Sequence, residues 1–458
     1  MSLEIRNLLI LGSAITALHV GAFWGATYLL EAHGASMPVM ITKMDQIEYL
    51  QLADTMLNSG RFALSADSAP EIFRTPGYPT FIALVNILTG DWYWGLFITH
   101  ALLLGLIAVL VALMSNELGF SRKTSIVAGT MMGLSSGSLL LSSTATGSDI
   151  LYTCLYTFAA YQAIRITGAK TLHRSIIIGG VLGIATLTRP IGILASLPLI
   201  FGFSLLQTFT WRSYIRNTLV ALTAWAMVLA PWYVRNTVVA GTPILSTVSL
   251  FNMTYYNIPM NEYFWRHTDE KLARDAFLAQ VGTSSVRALR SGEFIAAMHT
   301  NDKEYLSTHG FEYGLFHLYR TLPFFFMSGF NVINAVLSHE APTLHMPLFP
   351  TESENLTQLV ADHRWSAALS AVSKYWFTTL ERVSWLIAII LGFLSPHMAK
   401  GHTRRVLMFF IAIILVNIVL ISPVTQARLR FPAEPFIWSA AVAGYCLWRN
   451  RPSAGKVL

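Results

Sequence analysis

The sequence predicts an all-α polytopic membrane protein, and three observations carry that prediction. Apolar residues make up 54% of the 458-residue chain and charged residues only 12%, about half the charged share of an ordinary soluble domain. Long apolar runs lie between clusters of charge, where a membrane β-barrel would show short alternating segments. The basic clusters recur at a spacing that orients a helical bundle in its bilayer: Arg122 and Lys123; Arg165, Lys170 and Arg174; Arg212 and Arg216; Lys400, Arg404 and Arg405; Arg449, Arg451 and Lys456. The net charge of +7 therefore reads as membrane topology and not as a nucleic-acid surface.

Apolar runs near residues 8–30, 93–114, 125–142, 149–166, 176–189, 191–207, 217–234, 375–395, 406–422 and 433–448 are the candidate spans, about ten in all. The first follows a short charged start. Its apolar stretch of about 23 residues exceeds the core of a cleaved signal peptide, so it reads as an uncleaved span. With the N-terminus cytoplasmic, every basic cluster named above falls on the cytoplasmic side, and so does the C-terminus. Of the 24 acidic residues, Glu4 and Glu117 alone fall there. The others lie in or beside external segments, the long ones being residues 31–92 and 235–374. The chain thus divides into a core over 1–260, a large external region over 261–374 and C-terminal spans over 375–458. Residues 319–337, YRTLPFFFMSGFNVINAVL, are apolar enough to cross. A crossing there would break the parity of the later basic clusters, so this stretch reads as an external, partly membrane-embedded helix.

Cys154 and Cys446 lie in apolar runs and imply neither a disulfide framework nor a metal site. The histidines form no HExxH pattern, and His317, His339, His345 and His363 are scattered through the second external region. No P-loop, GxSxG or helix-opening GxGxxG is present, so no cytoplasmic nucleotide is indicated and no cofactor or metal is assigned.

The chemistry-bearing stretches lie at the external ends of the spans. In MDQIEYLQLADTMLNSGRF, residues 44–62, Ile47, Leu50, Ala53 and Leu57 share a helical face, and Gly60 is a natural stop. A short amphipathic helix at the membrane interface fits this spacing. Asp45 opens that helix with Glu48 three residues on. The pair is either a capping box or places a carboxylate at the surface as a general base. In FRTPGYP, Arg74 precedes two prolines and a glycine in an extended turn. Its fork of donors either grips a phosphate or snorkels to lipid headgroups. Asp149 in SDILYT opens a span, as a cap or as a site carboxylate. Arg189 in TRPIG sits where Pro190 breaks an apolar run, as an interface anchor or a site cation. Arg235 follows the interface pair Trp232 and Tyr233. Arg428, Arg430 and Glu434 share a tight external turn, ARLRFPAEP. Many arginines and a few carboxylates at one depth form an anion-binding, acid–base site.

The order of these pieces resembles bacterial GT-C glycosyltransferases of the aminoarabinose transferase and protein O-mannosyltransferase-like kind. Asp45 with Tyr49, then LADTMLNSGRF, FRTPGYPTFIAL, SDILYT, GIATLTRPIG, PWYVRNTVVAGTPILST and ARLRFPAEPF follow that family's order. The resemblance covers most of residues 40–260 and the last thirty or so. Residues 261–370 match nothing quotable. It implies a GT-C-like bundle in the bacterial inner membrane that transfers a sugar from a polyprenyl-phosphate donor to a periplasmic acceptor with inversion. Glycolipid, polysaccharide and protein all remain open as acceptors. Asp45 would be the base, and Arg74 and Arg235 would bind the donor phosphate. Tyr49, Tyr78, Asp149, Arg189, Arg428 and Arg430 would be substrate-site residues. The first loop lacks an Asp-x-Asp or Asp-Glu pair, which argues against metal dependence. The competing readings are a lipid-linked polysaccharide polymerase or ligase, and a glycolipid transporter or flippase.

Overall fold

A computed structural model describes residues 4–32, 44–144, 147–165, 171–206, 210–329, 365, 376–423 and 427–450. Each expected apolar run is a helix or a broken helix. In chain order these are α1 (Ile5–Ala32), α2 (Met44–Ser59), α3 (Gly77–Thr89), α4 (Trp92–Glu117), α5 (Arg122–Gly133), α6 (Ser136–Thr144), α7 (Asp149–Ile164), α8 (Thr171–Thr188) and α9 (Trp211–Ala240). There follow α10 (Ile258–Arg266), α11 (Glu270–Val281), α12 (Ile295–Tyr319), α13 (Leu322–Phe326), α14 (Trp376–Met398), α15 (Gly401–Ile421) and α16 (Glu434–Arg449). Among the described residues the β-structure is one isolated bridge, Ala63 to Pro70. This is a multi-pass α-helical membrane protein.

Among the described residues, 6 helices are long and apolar enough to cross a bilayer, or up to 7 if α5 and α6, bent by 48°, form one broken span. The expected spans at 149–166 and 433–448 are the 16-residue helices α7 and α16. At 1.5 Å per residue each is about 24 Å long, short of the roughly 30 Å hydrocarbon core. The run at 191–207 is broken into Gly192–Ala195, Leu197–Gly202 and Phe203–Leu206. Pro190 and Pro198 interrupt the hydrogen-bond ladder there.

The main core gathers around α4, whose Leu104, Ile107, Val111 and Met114 pack with Tyr152 and Tyr156 of α7, Ile178 and Leu182 of α8, Phe410 of α15 and Phe436 of α16. Burial among helices in lipid gains little from water exclusion, so close approach carries the packing. A Cβ on Gly179 of α8 would lie 2.1 Å from the Ala221 carbonyl oxygen of α9.

A second close approach builds the site. A Cβ on Gly77, at the head of α3, would lie 2.7 Å from backbone atoms of Leu187 and Thr188. FRTPGYP and TRPIG are therefore stacked backbone to backbone at one end of the bundle. Gly77→Ala is expected to destabilise the fold by about 1–3 kcal/mol through overpacking. A drop in the melting temperature of the purified protein is the check, and an unchanged melt would refute the contact.

The first-loop helix α2 differs from expectation in its rotation. Its buried positions are Gln46, Tyr49, Leu52, Ala53 and Thr55, whereas Ile47 and Leu57 are exposed. Tyr49 and Ala53 pack with Tyr78, Ile82 and Leu96. The reason is competition. The Tyr49 ring meets the Tyr78 ring edge-on at 5.0 Å, and that contact turns the smaller aliphatics outward. Within 319–337, α13 and the segment to Gly329 are described. Residues 330–337 lie outside the described residues, and so do His339, His345 and His363.

Candidate functional site

The site is an ion-pair cluster assembled from distant parts of the chain. Asp45 lies in the first turn of α2, and Glu48 follows one turn later on the same side. Glu48 does not close a capping box. Arg74 donates from Nε and Nη2 to Glu48 Oε2 at 2.9 and 2.8 Å, and from Nη2 to Asp45 Oδ1 at 2.6 Å. The Arg74 guanidinium is buried, lying 5.1 Å from the Tyr49 ring centroid and 4.8 Å from that of Phe73.

The loop before Arg74 is pinned on several sides. Glu71 Oε1 accepts from the Arg74 backbone N–H at 3.2 Å. Ser246 donates to the Phe73 carbonyl, and the Thr247 N–H donates to the Ile72 carbonyl at 3.2 Å. Arg235 completes this frame. Its guanidinium donates to the carbonyls of Glu71 and Phe62 and lies 4.7 Å from the Trp232 ring centroid. Its contacts are thus with the loop that carries Arg74, and not with the carboxylates of the cluster.

Two further strands of chain reach the cluster. Arg428 Nη2 is 3.6 Å from Asp45 Oδ2, and Arg428 Nε is buried without a hydrogen-bond partner among the described residues. Arg290, from the region with no sequence resemblance, pairs with Glu48 Oε1 and lies 4.1 Å from the Phe73 ring centroid. Sequence reasoning missed Arg290 because no local signal marks it. Glu48 could have been found, since Asp45 and Glu48 at i and i+3 share a helix side.

Asp149 is buried in the first turn of α7 and pairs with Arg189, just past α8. The residue before it, Ser148, holds the N-cap position without a side-chain cap bond, so Asp149 acts as an ion-pair partner. Arg189 lies within electrostatic range of Tyr49, Arg428, Asp45 and Arg74, which joins this pair to the cluster. Tyr49 belongs to it through Arg74. Tyr78 faces inward instead, with its hydroxyl 3.2 Å from His100 Nε2.

Arg430 points away from Arg428. Residues Ala427–Ala433 form a 3-10 helix, in which two positions are about 240° apart. Arg430 is 1% exposed and lies over Trp385, 3.9 Å from the ring centroid. It donates to Glu434 Oε1 at 3.2 Å and to the Met327 carbonyl at 2.9 Å, and Glu381 is 3.7 Å away. Glu434 and Glu381 are also hydrogen-bonded by Ser135 and Ser328. This is a buried brace between the C-terminal helices, the α5–α6 bend and α13.

Electrostatics fix the state of Asp45. Burial on its own would raise its pKa, but Arg74, Arg428 and Arg290 outweigh it and hold the carboxyl below its ordinary value of 3.8. Asp45 is therefore ionised at neutral pH, and its side chain is still 44% exposed. Arg74, Arg189, Arg290 and Arg428 set against Asp45, Glu48 and Asp149 leave the cluster with one net positive charge. Among the described residues no group of three or more His, Cys, Asp or Glu stands together as a metal site.

No family profile and no curated protein sequence matches the chain. Solved structures do. The crystal structure of the Archaeoglobus fulgidus oligosaccharyltransferase in the apo form superposes with a TM-score of 0.53 at 14% identity, over 95% of this chain and 50% of that one. The chain shares the helical fold of that structure. It spans about half the length of that archaeal enzyme. Two further structures align more distantly. They are the Archaeoglobus fulgidus AglB with an inhibitory peptide and a dolichol-phosphate (TM-score 0.48, 13% identity, 93% of this chain, 50% of that one), and ArnT from Cupriavidus metallidurans bound to undecaprenyl phosphate (0.38, 12%, 97%, 78%). In this fold the Asp45 cluster lies at the end of the bundle where α1, α8, α9 and α15 finish and where α4, α7 and α16 begin.

Proposed function

We propose that this protein is a membrane glycosyltransferase that moves a sugar from a polyprenyl-phosphate donor to an acceptor hydroxyl with inversion. The observation that carries the reading is the juxtaposition of a half-exposed ionised carboxylate, Asp45, with a loosely held arginine, Arg428. The acceptor oxygen forms its bond to the anomeric carbon while the bond from that carbon to the phosphate oxygen breaks. The electron pair leaves with the phosphate, and the hydroxyl proton passes to Asp45.

In this reading the arginines divide between two tasks. Arg74 spends its donors on Asp45 and Glu48, so it positions the base. Arg235 holds the loop that carries Arg74. Among the described residues Arg428 meets Asp45 at 3.6 Å and its buried Nε has no partner, so in this reading it takes the donor phosphate, with Arg189 and Arg290 contributing field. The net positive charge of the cluster suits the charge that develops on the leaving phosphate. Binding also couples to basicity: a phosphate that draws Arg428 off Asp45 Oδ2 removes one of the charges depressing the carboxylate. The base strengthens as the donor arrives. No metal or other cofactor is part of this proposal.

The test is transfer from a synthetic polyprenyl-phosphate sugar by purified protein in nanodiscs, with the anomeric configuration of the product read by NMR. Arg428→Ala should weaken donor binding by about 1.5–3 kcal/mol, the worth of a hydrogen bond to a charged group, or roughly ten- to a hundredfold. Donor affinity unchanged in that variant would refute its role. Movement of the intact donor across the bilayer of proteoliposomes, with none of it consumed, would favour the transporter reading.

A further inference from the structure

Helix α12 changes character along one face. Near its middle, Lys303, Glu304, Ser307 and Thr308 are exposed and polar, with Leu306 37% exposed beside them. From Phe311 onward the same line, at intervals of three or four residues, becomes apolar: Phe311 is 81% exposed, Leu315 43%, Leu318 66%, and Leu322 of α13 48%. Phe311, Leu315 and Leu318 fall on one side of α12, and Leu322 follows in α13. The neighbouring α10, whose Trp265 indole donates to the Glu312 carbonyl at 3.1 Å, brings the 41% exposed Trp265 beside this stripe.

The apolar end of α12 is bonded to the end of a membrane span. His317 Nε2 lies 2.8 Å from the Val419 carbonyl, Ser422 donates to the His317 carbonyl at 3.0 Å, and Arg320 donates to the Pro423 carbonyl at 3.1 Å. Helix α15, which ends there, presents Met408, Leu415 and Val419 outward, the face a spanning helix shows to lipid. The α12 stripe continues that face past the end of the span, and aromatic side chains gather beside it as they do at membrane interfaces.

We infer that residues 311–322 form an interfacial docking face seated in the lipid leaflet at this end of the bundle, so that α12 is half in water and half on the membrane. The occupant of the stripe is the bilayer itself. The consequence reaches the site. Arg290 lies only five residues before α12, and α12 runs about 37 Å from there to the end of α15. Seating its far end on the leaflet sets the height at which Arg290 meets Glu48.

The unmodified protein can be reconstituted in phosphatidylcholine nanodiscs in which some acyl chains carry a diazirine, then irradiated and mapped by peptide mass spectrometry. Adducts on residues 311–322, with none on 303–308, are expected. A second measurement uses single cysteines in a Cys154→Ala, Cys446→Ala background, labelled with a fluorophore and quenched by acyl-brominated phosphatidylcholine. Labels at Phe311→Cys and Leu318→Cys should lose as much fluorescence as one at Leu415→Cys, and one at Glu304→Cys should lose none. Absence of adducts over 311–322, or quenching there equal to that at Glu304→Cys, would overturn the inference. So would cross-linking of Phe311→Cys between two copies without lipid adducts, which would make a second chain the occupant.

Discussion

Replacing Asp45 by asparagine is expected to slow transfer by about 10²–10⁴-fold, the usual worth of a positioned general base, while the protein stays folded. The fold should survive because Arg74 keeps its paired bonds to Glu48, and asparagine occupies the same space. Donor affinity should hardly change, since the arginines remain. Single-turnover transfer and donor binding, measured on the same preparation, separate these effects. Transfer at the normal rate in Asp45→Asn would end the assignment of Asp45 as base.

The pH dependence follows from the same charges. Asp45 has its pKa depressed below 3.8 by its arginine neighbours. The stability it contributes is therefore fully present above its unfolded value, near 3.9, and is lost only as pH falls through the lower folded value. In the free enzyme, the acid limb of kcat/KM should lie below the ordinary carboxylate range. Arg428→Gln removes one of the depressing charges, so its acid limb should move to higher pH. A limb that stays in place would show that Arg428 does not act on Asp45.

Arg430→Ala is expected to have the largest effect on stability, about 3–5 kcal/mol, because it strands the fully buried Glu434 carboxylate without its cation. Glu434 is fully buried and Glu381 nearly so. Against a total stability on the order of 5–15 kcal/mol, that loss would leave little folded protein. Arg430→Lys should rescue it poorly, since an ammonium cannot reproduce the planar stack on Trp385 and the fork of donors. Thermal unfolding in detergent, followed by tryptophan fluorescence, reads the outcome. A melting temperature near that of the unmodified protein would refute the brace. The contrast with Arg428 two residues earlier is the instructive part, since that residue should alter donor binding and barely alter the melt.

Much of this protein was legible in the sequence. Apolar run length and the positions of basic clusters determined an all-α membrane bundle, because backbone groups in lipid have to be satisfied within a helix. The placement of Asp45, Arg74, Asp149, Arg189 and Arg428 at one end followed from the same parity. What each charged side chain touches did not, because partners far apart in the chain leave no local pattern. Arg74 reads as a free cation until Asp45 and Glu48 close around it. The resemblance assigns Arg235 to a phosphate, and nothing in the sequence shows that its donors lie on the carbonyls of Glu71 and Phe62. Arg290 has no local signal at all, and the packing of Phe73 and Phe251 against Leu289 and Met298, with the Thr247 hydroxyl on the Arg290 carbonyl, brings its segment to Glu48. Arg428 and Arg430 look equivalent in ARLRFPAEP, and the 3-10 geometry of that turn sends one to the site and the other into the core. The sequence by itself determined which charges stand at this end of the membrane bundle. The tertiary structure alone decided which are neutralised by one another and which remain for a ligand, because ion pairing depends on distances of a few ångströms that only the packed helices set.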